Sequence, residues 1–415
     1  MTASTGRRRI LVGVGGGIAA YKVCSVIRHF TEAGDDVHVV PTRAALNFVG
    51  AATFEALSGN PVRTEVFEDV DQVAHVKLGQ QADLVIIAPA TADLMARAAA
   101  GRADDLLTAS LLTARCPVLF VPAMHTEMWQ HPATRNNVAA LRSFGSTVMR
   151  PASGRLTGRD SGAGRLPDPQ EIALVGELLL DSPGALPYDL HGVRMLISAG
   201  GTREPLDPVR YLGNLSSGKQ GYALARVASQ RGAQVTVVAG ATAEPGDPAG
   251  VEIVRIAQAT QLAEEMTTRA ADADVVIMSA AVADFRPVAV SGSKIKKGAQ
   301  GPAPIELTTN PDILRSLVQA RDNGHIHSST VIVGFAAETG DETGGVLDHG
   351  RAKLRRKGCD LLVVNAVGDG KAFGTEDNTG WLLSSDGSET ALPLGSKSLM
   401  ASRILDEVRT LVSDG

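Results

Sequence analysis

Ser216, Ser217 and Gly218 lead, through Lys219, Gln220 and Gly221, into YALARVASQRG, where Leu224, Val227 and Ala228 fall at helical spacing and Gly232 supplies a stop. Hydroxyls and backbone N–H groups at a helix start suit an anion. An ordinary capped helix after a surface loop fits the same spacing, and residue types alone leave both readings open. Gly15, Gly16 and Gly17 follow a first apolar run in GVGGGIAAYK. Glycines at such a turn let a backbone approach a phosphate. The pattern is not GxGxxG, and Pro41 and Thr42 stand where a dinucleotide site needs an acid for the ribose. Lys294, Lys296 and Lys297 in SKIKKG form a cationic loop, which alone describes a solvated face as well as a phosphate clamp. Lys353 and Lys357 lie four apart and so share a helix face. His75, in HVKL, is of a residue type suited to proton transfer near neutral pH; a satisfied surface histidine is the plainer alternative.

The elements that must position these groups alternate in type. Val193–Ser198 reads as a buried strand and Gln234–Ala239 as a second, with a helix from Gly221 onward, stopped by Gly232, between them. That is a βαβ unit, and α/β sheets bind ligands at such strand-to-helix junctions. Plain junctions take about two to six residues, whereas roughly twenty lie here, which marks a functional loop. In the first half, Ile10–Val14 and Val37–Val40 read as strands flanking an Ile18–Thr31 helix closed by Gly34. Asp83–Pro89 and Cys116–Val121 are further apolar strands, with Thr91 and Asp93 able to cap the helix between. Pro151–Pro169 lacks periodicity and reads as a flap or an exposed loop. Later, DVVIMSAAVADF (274–285) echoes DLVIIAPATADL (83–94), Asn310 is a plausible helix cap, and Val331–Phe335 and Leu361–Val364 are strands. From about Gly380 the pattern is a hairpin and a terminal helix. The expected fold is α/β: two doubly wound, mostly parallel-sheet Rossmann-like domains in tandem. They are expected at 1–182 and 188–415, joined by the Asp181–Leu190 linker.

Bulk properties narrow the function. A chain of 415 residues exceeds one ordinary core, which agrees with two domains. A net charge of −5 with few aromatics argues against nucleic acid. Cys24, Cys116 and Cys359 are too scattered for a disulfide framework or a metal cluster and suit a reducing cytoplasm. Arg7–Arg9 before ILVGVGGGIAA imitates a signal peptide, but the glycine-broken run continues as strand and turn. No apolar run reaches membrane-spanning length, so no membrane partner is expected.

Several long motifs in order resemble one family, the bifunctional phosphopantothenoylcysteine decarboxylases and phosphopantothenate–cysteine ligases of bacterial coenzyme A synthesis. GGIAAYK, APATADLMARAAAGRADDLL and PAMHTEMW are similar to the flavin-dependent decarboxylase half. GGTREPLDPVRY, NLSSGKQG, AAVADFRP, KIKK, NPDI and GFAAET are similar to the ligase half. For the decarboxylase, the resemblance implies an FMN site at Gly16, Gly17, Ile18, Thr42, Thr91, Ala92, Asp93, Leu94 and Ala123, with His75 as base. For the ligase, it implies CTP contacts at Met278, Ser279, Ala280, Asp284, Asn310, Pro311, Asp312, Ile313, Phe335, Lys353 and Lys357. Lys294 would serve the nucleotide, Asp284 would hold Mg²⁺ or Mn²⁺, and Arg210 and Asn214 would serve acyl transfer. The implied substrates are 4′-phosphopantothenate, L-cysteine and CTP. The implied assembly is a homo-oligomer of trimeric decarboxylase and dimeric ligase units, which a dodecamer satisfies.

The implied chemistry explains the residue types. Oxidising the substrate's CH₂–SH to a thioaldehyde creates an electron sink beside the departing carboxylate. In the ligase, a carboxylate oxygen attacks the α-phosphorus of CTP, pyrophosphate leaves, and the cysteine amine then attacks the acyl carbon. Two positions depart from the family pattern. His125 replaces the asparagine of PxMNxxMW, and Thr157 stands where the flap usually carries a cysteine. These changes keep a second reading alive, a ligase whose first domain is a non-catalytic flavin-binding or regulatory module.

Overall fold

The computed structural model describes residues 7–64, 74–156, 160–243, 246–296, 304–338, 344–366 and 377–413. The chain divides into two compact units, residues 1–188 with 248–250, and residues 189–247 with 251–415.

In the first unit, β1 (Arg9–Val14), α1 (Ala20–Glu32), β2 (Asp36–Pro41), α2 (Ala51–Ser58), α3 (Ala74–Gln81) and β3 (Leu84–Ala90) follow one another. They continue with α4 (Ala92–Ala99), α5 (Leu106–Thr113), β4 (Val118–Pro122), α6 (Thr126–Gln130), α7 (Pro132–Ser143) and β5 (Thr147–Val148). A hairpin of β6 (Ala152–Arg155) and β7 (Ser161–Arg165) precedes α8 (Pro169–Asp181). The sheet runs β2-β1-β3-β4-β5, parallel throughout. All seven residues of β3 are buried, because a parallel strand is covered on both faces and reads as a continuous apolar run. Helix α1 buries one stripe, Val23, Val26, Ile27 and Phe30, against that sheet.

The second unit begins with β8 (Arg194–Ala199), β9 (Arg203–Pro205), β10 (Tyr211–Gly213), α9 (Lys219–Gln230), β11 (Gln234–Ala239), β12 (Val251–Arg255) and α10 (Ala259–Ala270). It continues with β13 (Val275–Met278), β14 (Phe285–Pro287), β15 (Leu307–Thr309), α11 (Ile313–Asp322), β16 (Val331–Glu338) and α12 (Val346–Lys357). It ends with β17 (Leu361–Ala366), β18 (Asp377–Ser384), β19 (Glu389–Ser396) and α13 (Lys397–Ser413). Its sheet runs β12-β11-β8-β13-β16-β17-β18-β19, parallel as far as β17 and antiparallel beyond. Both units are therefore mixed α/β layers around a mostly parallel sheet.

Three local details differ from the sequence expectation. The glycine-rich stretch after Pro151 contains the β6–β7 hairpin instead of irregular loop alone. The long junction after β8 folds back on itself as the β9–β10 hairpin. Helix α11 is capped by Asp312, whose carboxylate accepts from Arg315 N at 3.2 Å, while Asn310 is used elsewhere.

Candidate active sites

Each unit has one topological switch point. In the first, chain order leaves β1 toward β2 on one side and toward β3 on the other, so the crevice opens outside the carboxyl ends of β1 and β3. Backbone crowding explains the glycines there. Gly15 N donates to Pro89 O at 3.2 Å, and a Cβ on Gly15 would lie 2.3 Å from that carbonyl. A Cβ on Gly16 would lie 2.4 Å from Ala44 Cβ, whereas Gly17 faces open space and Ile18 is exposed. Helix α1 starts with no side-chain cap and no acid in its first turn. Its N-terminal N–H groups are thus suited to a phosphate. Thr42 Oγ1 donates to Val14 O at 3.3 Å and accepts from Ala45 N at 3.2 Å, which fixes the turn after β2 beside the end of β1. Thr91 caps α4 by accepting from Leu94 N at 3.2 Å. Ala92, Asp93 and Leu94 form the first turn of that helix, with Leu94 buried and Asp93 paired to Arg97 at 3.1 Å. Ala123 N donates to Ala90 O at 3.2 Å, joining the loops after β3 and β4.

His125 occupies the N-cap position of α6 on that same β4 loop. The β6–β7 hairpin lies against it: Met124 N donates to Gly164 O at 2.9 Å, and a Cβ on Gly162 would lie 2.4 Å from Thr126 Oγ1. Thr157 lies outside the described residues. His75 lies in the first turn of α3. Its carbonyl accepts from Thr113 Oγ1 at 2.9 Å, and its Nδ1 is buried without a hydrogen-bond partner. The structure thus places Gly16, Gly17, Ile18, Thr42, Thr91–Leu94 and Ala123 on the loops and helix starts beyond the carboxyl ends of the strands, while His75 stands on α3.

In the second unit the switch point lies between β8 and β13. Two loops are zipped together across it. Ala281 N donates to Gly200 O at 2.8 Å, Ser279 Oγ to Ser198 O at 2.7 Å, and Ala283 N to Thr202 Oγ1 at 3.0 Å. A Cβ on Gly221 would meet Ala199 Cβ at 2.6 Å and Ser279 Oγ at 2.7 Å, so glycine lets α9 press against the strand ends. Met278 ends β13, and Ala280 N donates to Ser198 Oγ at 3.1 Å. Asn214 Nδ2 donates to Val282 O at 2.9 Å, which places its amide on the same loop as Asp284. The exposed Asp284 accepts at its carbonyl from Asn310 N, at 2.8 Å, and Asn310 Nδ2 donates to Ala283 O at 2.8 Å.

The cations are held differently from one another. Arg210 binds Asp207 through Nε at 3.0 Å and donates from Nη2 to Ile295 O at 2.7 Å. Lys294, beside Ile295, is exposed; Lys297 lies outside the described residues. Lys353 Nζ pairs with Glu338 at 2.9 Å, and Lys357 pairs with Asp312. Burial alone would raise the Asp312 carboxyl; the Lys357 ammonium and Arg315 N–H outweigh it and hold it below the usual carboxylate range. Asp312, Pro311 and Ile313 form the start of α11, and half-buried Phe335 lies on β16. Asp207, Glu338 and Arg97 are partners that sequence reading missed. The available signal was spacing: Asp207 lies three before Arg210, and Asp93 four before Arg97.

Residues 2–175 match the family described as Flavoprotein, and residues 190–411 match the DNA/pantothenate metabolism flavoprotein C-terminal domain. The coenzyme A biosynthesis bifunctional protein CoaBC of Mycolicibacterium smegmatis is 66% identical over 402 residues, covering 97% of this chain and 97% of that one. The protein of the same name from Mycobacterium tuberculosis is 65% identical over 406 residues, covering 98% and 97%. A crystal structure of the C-terminal domain of a CoaBC protein is 36% identical and covers 55% of this chain and all of that one, with a TM-score of 0.45. Similarity across both halves does not favour a merely regulatory first domain. The chain belongs to the family of bifunctional coenzyme A biosynthesis proteins and is an enzyme with a flavoprotein decarboxylase half and a ligase half.

Proposed function

We propose that residues 188–415 join 4′-phosphopantothenate to L-cysteine with CTP, and that residues 1–182 convert the product to 4′-phosphopantetheine with FMN. The observation that carries the ligase reading is the meeting of Asn214, Asp284 and Asn310 on the loop after β13. The substrate carboxylate oxygen bonds to the α-phosphorus of CTP while the bond to the pyrophosphate oxygen breaks. Lys294 offsets the charge that develops on the leaving pyrophosphate. Lys353 and Lys357 already hold carboxylates, Glu338 and Asp312, and anionic phosphates can replace these. The cysteine amine then attacks the acyl carbon and CMP leaves. Asn214 retains one amide hydrogen beyond its bond to Val282 and offers it to the acyl oxygen. Arg210, whose Nη1 has no partner among the described residues, supports the same step.

Divalent-metal binding fits one carboxylate plus phosphate oxygens. Among the described residues no group of three or more acids, histidines or cysteines could hold a metal, and Mg²⁺ commonly takes one or two carboxylates with substrate phosphates. Asp284 would be that carboxylate.

The uncapped start of α1 and the glycine turn before it fit the FMN phosphate. FMN, when bound, supplies the two-electron acceptor for the substrate's CH₂–SH group and the hydride returned after carbon dioxide departs. His75 takes and returns protons, with the unpartnered Nδ1 as one of its two ring nitrogens. His125 donates to the substrate carboxylate.

Exposed Tyr211, Leu212 and Leu215 beside exposed Phe285 and Val288 support dimeric ligase units, since such apolar patches mark interfaces. No helix among the described residues is long and apolar enough to cross a membrane. The scattered cysteines support a cytoplasmic location. The test supplies 4′-phosphopantothenate, cysteine, CTP and Mg²⁺ to the purified full-length protein with FMN added. Pyrophosphate, carbon dioxide and 4′-phosphopantetheine are the expected products; phosphate release from another nucleotide with none from CTP refutes the nucleotide assignment.

A further inference from the structure

The turn at 206–210 and the loop that carries Lys294 are distant in sequence, yet one side chain bonds both. Asp207 has a fully buried carboxylate. Its Oδ1 accepts from Val209 N and Arg210 N, each at 2.8 Å. Its Oδ2 accepts from Arg210 Nε at 3.0 Å, Arg210 Nη2 at 2.5 Å and Ile295 N at 3.1 Å. Arg210 Nη2 also donates to Ile295 O at 2.7 Å. Both backbone polar groups of Ile295 are therefore fastened, the N–H by Asp207 and the carbonyl by Arg210. Ser291 N adds a second strap to Leu206 O at 3.0 Å.

The bonds to Val209 and Arg210 N–H groups are what any aspartate-led turn needs. The bonds to Ile295 are surplus to the turn, because they hold a second segment 88 residues away. The Arg210 guanidinium and three backbone N–H groups keep the buried carboxyl well below the usual carboxylate range, so the fastening is anionic throughout the neutral range. We infer that Asp207 is a positioning residue of the ligase: it fixes the backbone next to Lys294 and leaves the lysine side chain free to meet the nucleotide. On this inference Arg210 serves first as the other half of that fastening. Preorganised charge is effective only when its place is held, and a misplacement of about 1 Å can cost about 10²-fold in rate.

The inference rests on the proposed role of Lys294 in pyrophosphate release, so the test separates the two. The full-length enzyme is assayed for pyrophosphate release from CTP and 4′-phosphopantothenate without cysteine, as Lys294→Gln, Asp207→Asn, Ile295→Pro and Asp207→Asn with Lys294→Gln. The amide of Asp207→Asn turns an N–H pair toward existing donors; Ile295→Pro deletes one donor on an exposed loop and leaves the carboxylate intact. Each is expected to slow release about tenfold or more, and Ile295→Pro, which leaves the Asp207–Arg210 pair intact, is expected to keep the KM for cysteine unchanged in the complete reaction. The double variant is expected to be no slower than Lys294→Gln alone, because both changes act through one lysine. Tryptic cleavage after Lys296 is expected to quicken in Asp207→Asn and Ile295→Pro, and decarboxylation of supplied phosphopantothenoylcysteine to stay unchanged. Losses that multiply in the double variant would mean a merely structural role and overturn the inference. Should Asp207→Asn not fold, Ile295→Pro decides alone: wild-type release in that folded variant overturns the inference. Wild-type release in Lys294→Gln instead defeats the reading of Lys294, and the positioning role falls with it.

Discussion

The two switch points are built alike and furnished differently. In the first unit, strand passes almost directly to helix: β1 reaches α1 through the glycine turn, and β3 reaches α4 with Thr91 as cap. What the crevice offers is backbone N–H, hydroxyl and apolar surface, and its nearest acid, Asp93, is taken by Arg97. In the second unit each corresponding junction carries a hairpin, β9–β10 after β8 and β14–β15 after β13. Those insertions bring in Arg210, Asn214, Lys294 and Asp284. A flavin needs one phosphate seat and a flat apolar wall, whereas a nucleoside triphosphate needs several cations. One sheet architecture can serve both the flavoprotein half and the proposed nucleotide site because a ligand is read by loops, which can lengthen without disturbing the strands that carry them.

If the sites are as separate as their furnishings, a change in one leaves the other intact. His75→Asn is expected to cut decarboxylation by about 10²-fold or more, the usual contribution of a general base, with ligation at the wild-type rate. Both half-reactions measured on the same folded preparation check this. Equal losses in the two would join the sites functionally and break the comparison.

A change within the second site should separate its two chemical steps. Asn214→Asp puts a carboxylate opposite Val282 O and removes a donor from the acyl oxygen. One lost donor of this kind costs about 10²–10³ in rate. Rapid-quench analysis of labelled CTP is expected to show pyrophosphate release continuing and acyl-cytidylate accumulating. Lys294→Gln is expected to be held at the earlier step, with pyrophosphate release slowed about tenfold or more and no acyl-cytidylate accumulating. The opposite order of blocks would reverse the two assignments.

What the sequence made legible follows the same division. The Asp83–Pro89 run could be bounded to within one residue of β3 from its apolar residues alone, because burial on both faces leaves no other pattern. The Thr91 cap was legible because a hydroxyl ahead of an apolar helix has a local job. The Asp207 fastening was not, since its partner Ile295 is close only after folding. Asn310 looked like a helix cap by type, yet Asp312 took that place and Asn310 bonded the preceding loop instead. Local signals give elements and caps; contacts between distant loops, of which the second site is made, need the fold.

Smaller effects sharpen the contrast from the first unit. Thr91→Ala removes the acceptor for Leu94 N and should destabilise the first unit by about 1 kcal/mol. For a domain of this size that lowers the melting temperature by roughly 2–4 °C. Flavin content at limiting FMN is expected to fall with it, and pyrophosphate release to remain unchanged. A melting curve identical to wild type would show that the cap is not needed to order this rim.

The smallest expected effect is none at all, and it bears on the proton donor of the decarboxylase. Burial pushes the Cys116 and Cys359 thiols up to about 11, and burial raises Cys24 as well. A thiol of pKa about 11 is roughly one part in a thousand thiolate at pH 8, and thiolate is the reactive form. Brief treatment with iodoacetamide at pH 8, quenched before substrate is added, is therefore expected to leave both activities intact. Labelling of the half-buried Cys116 in the folded protein should rise about tenfold per pH unit as the pH climbs toward its raised pKa, while the fully buried Cys359 stays shielded. Thr157 stands where relatives are expected to place a thiol, so an insensitive decarboxylase must protonate its product from a histidine, a hydroxyl or water. Selective loss of decarboxylation after alkylation, with ligation spared, would instead give one of these cysteines a place in the first site. The first crevice would then no longer be one furnished by backbone and neutral groups.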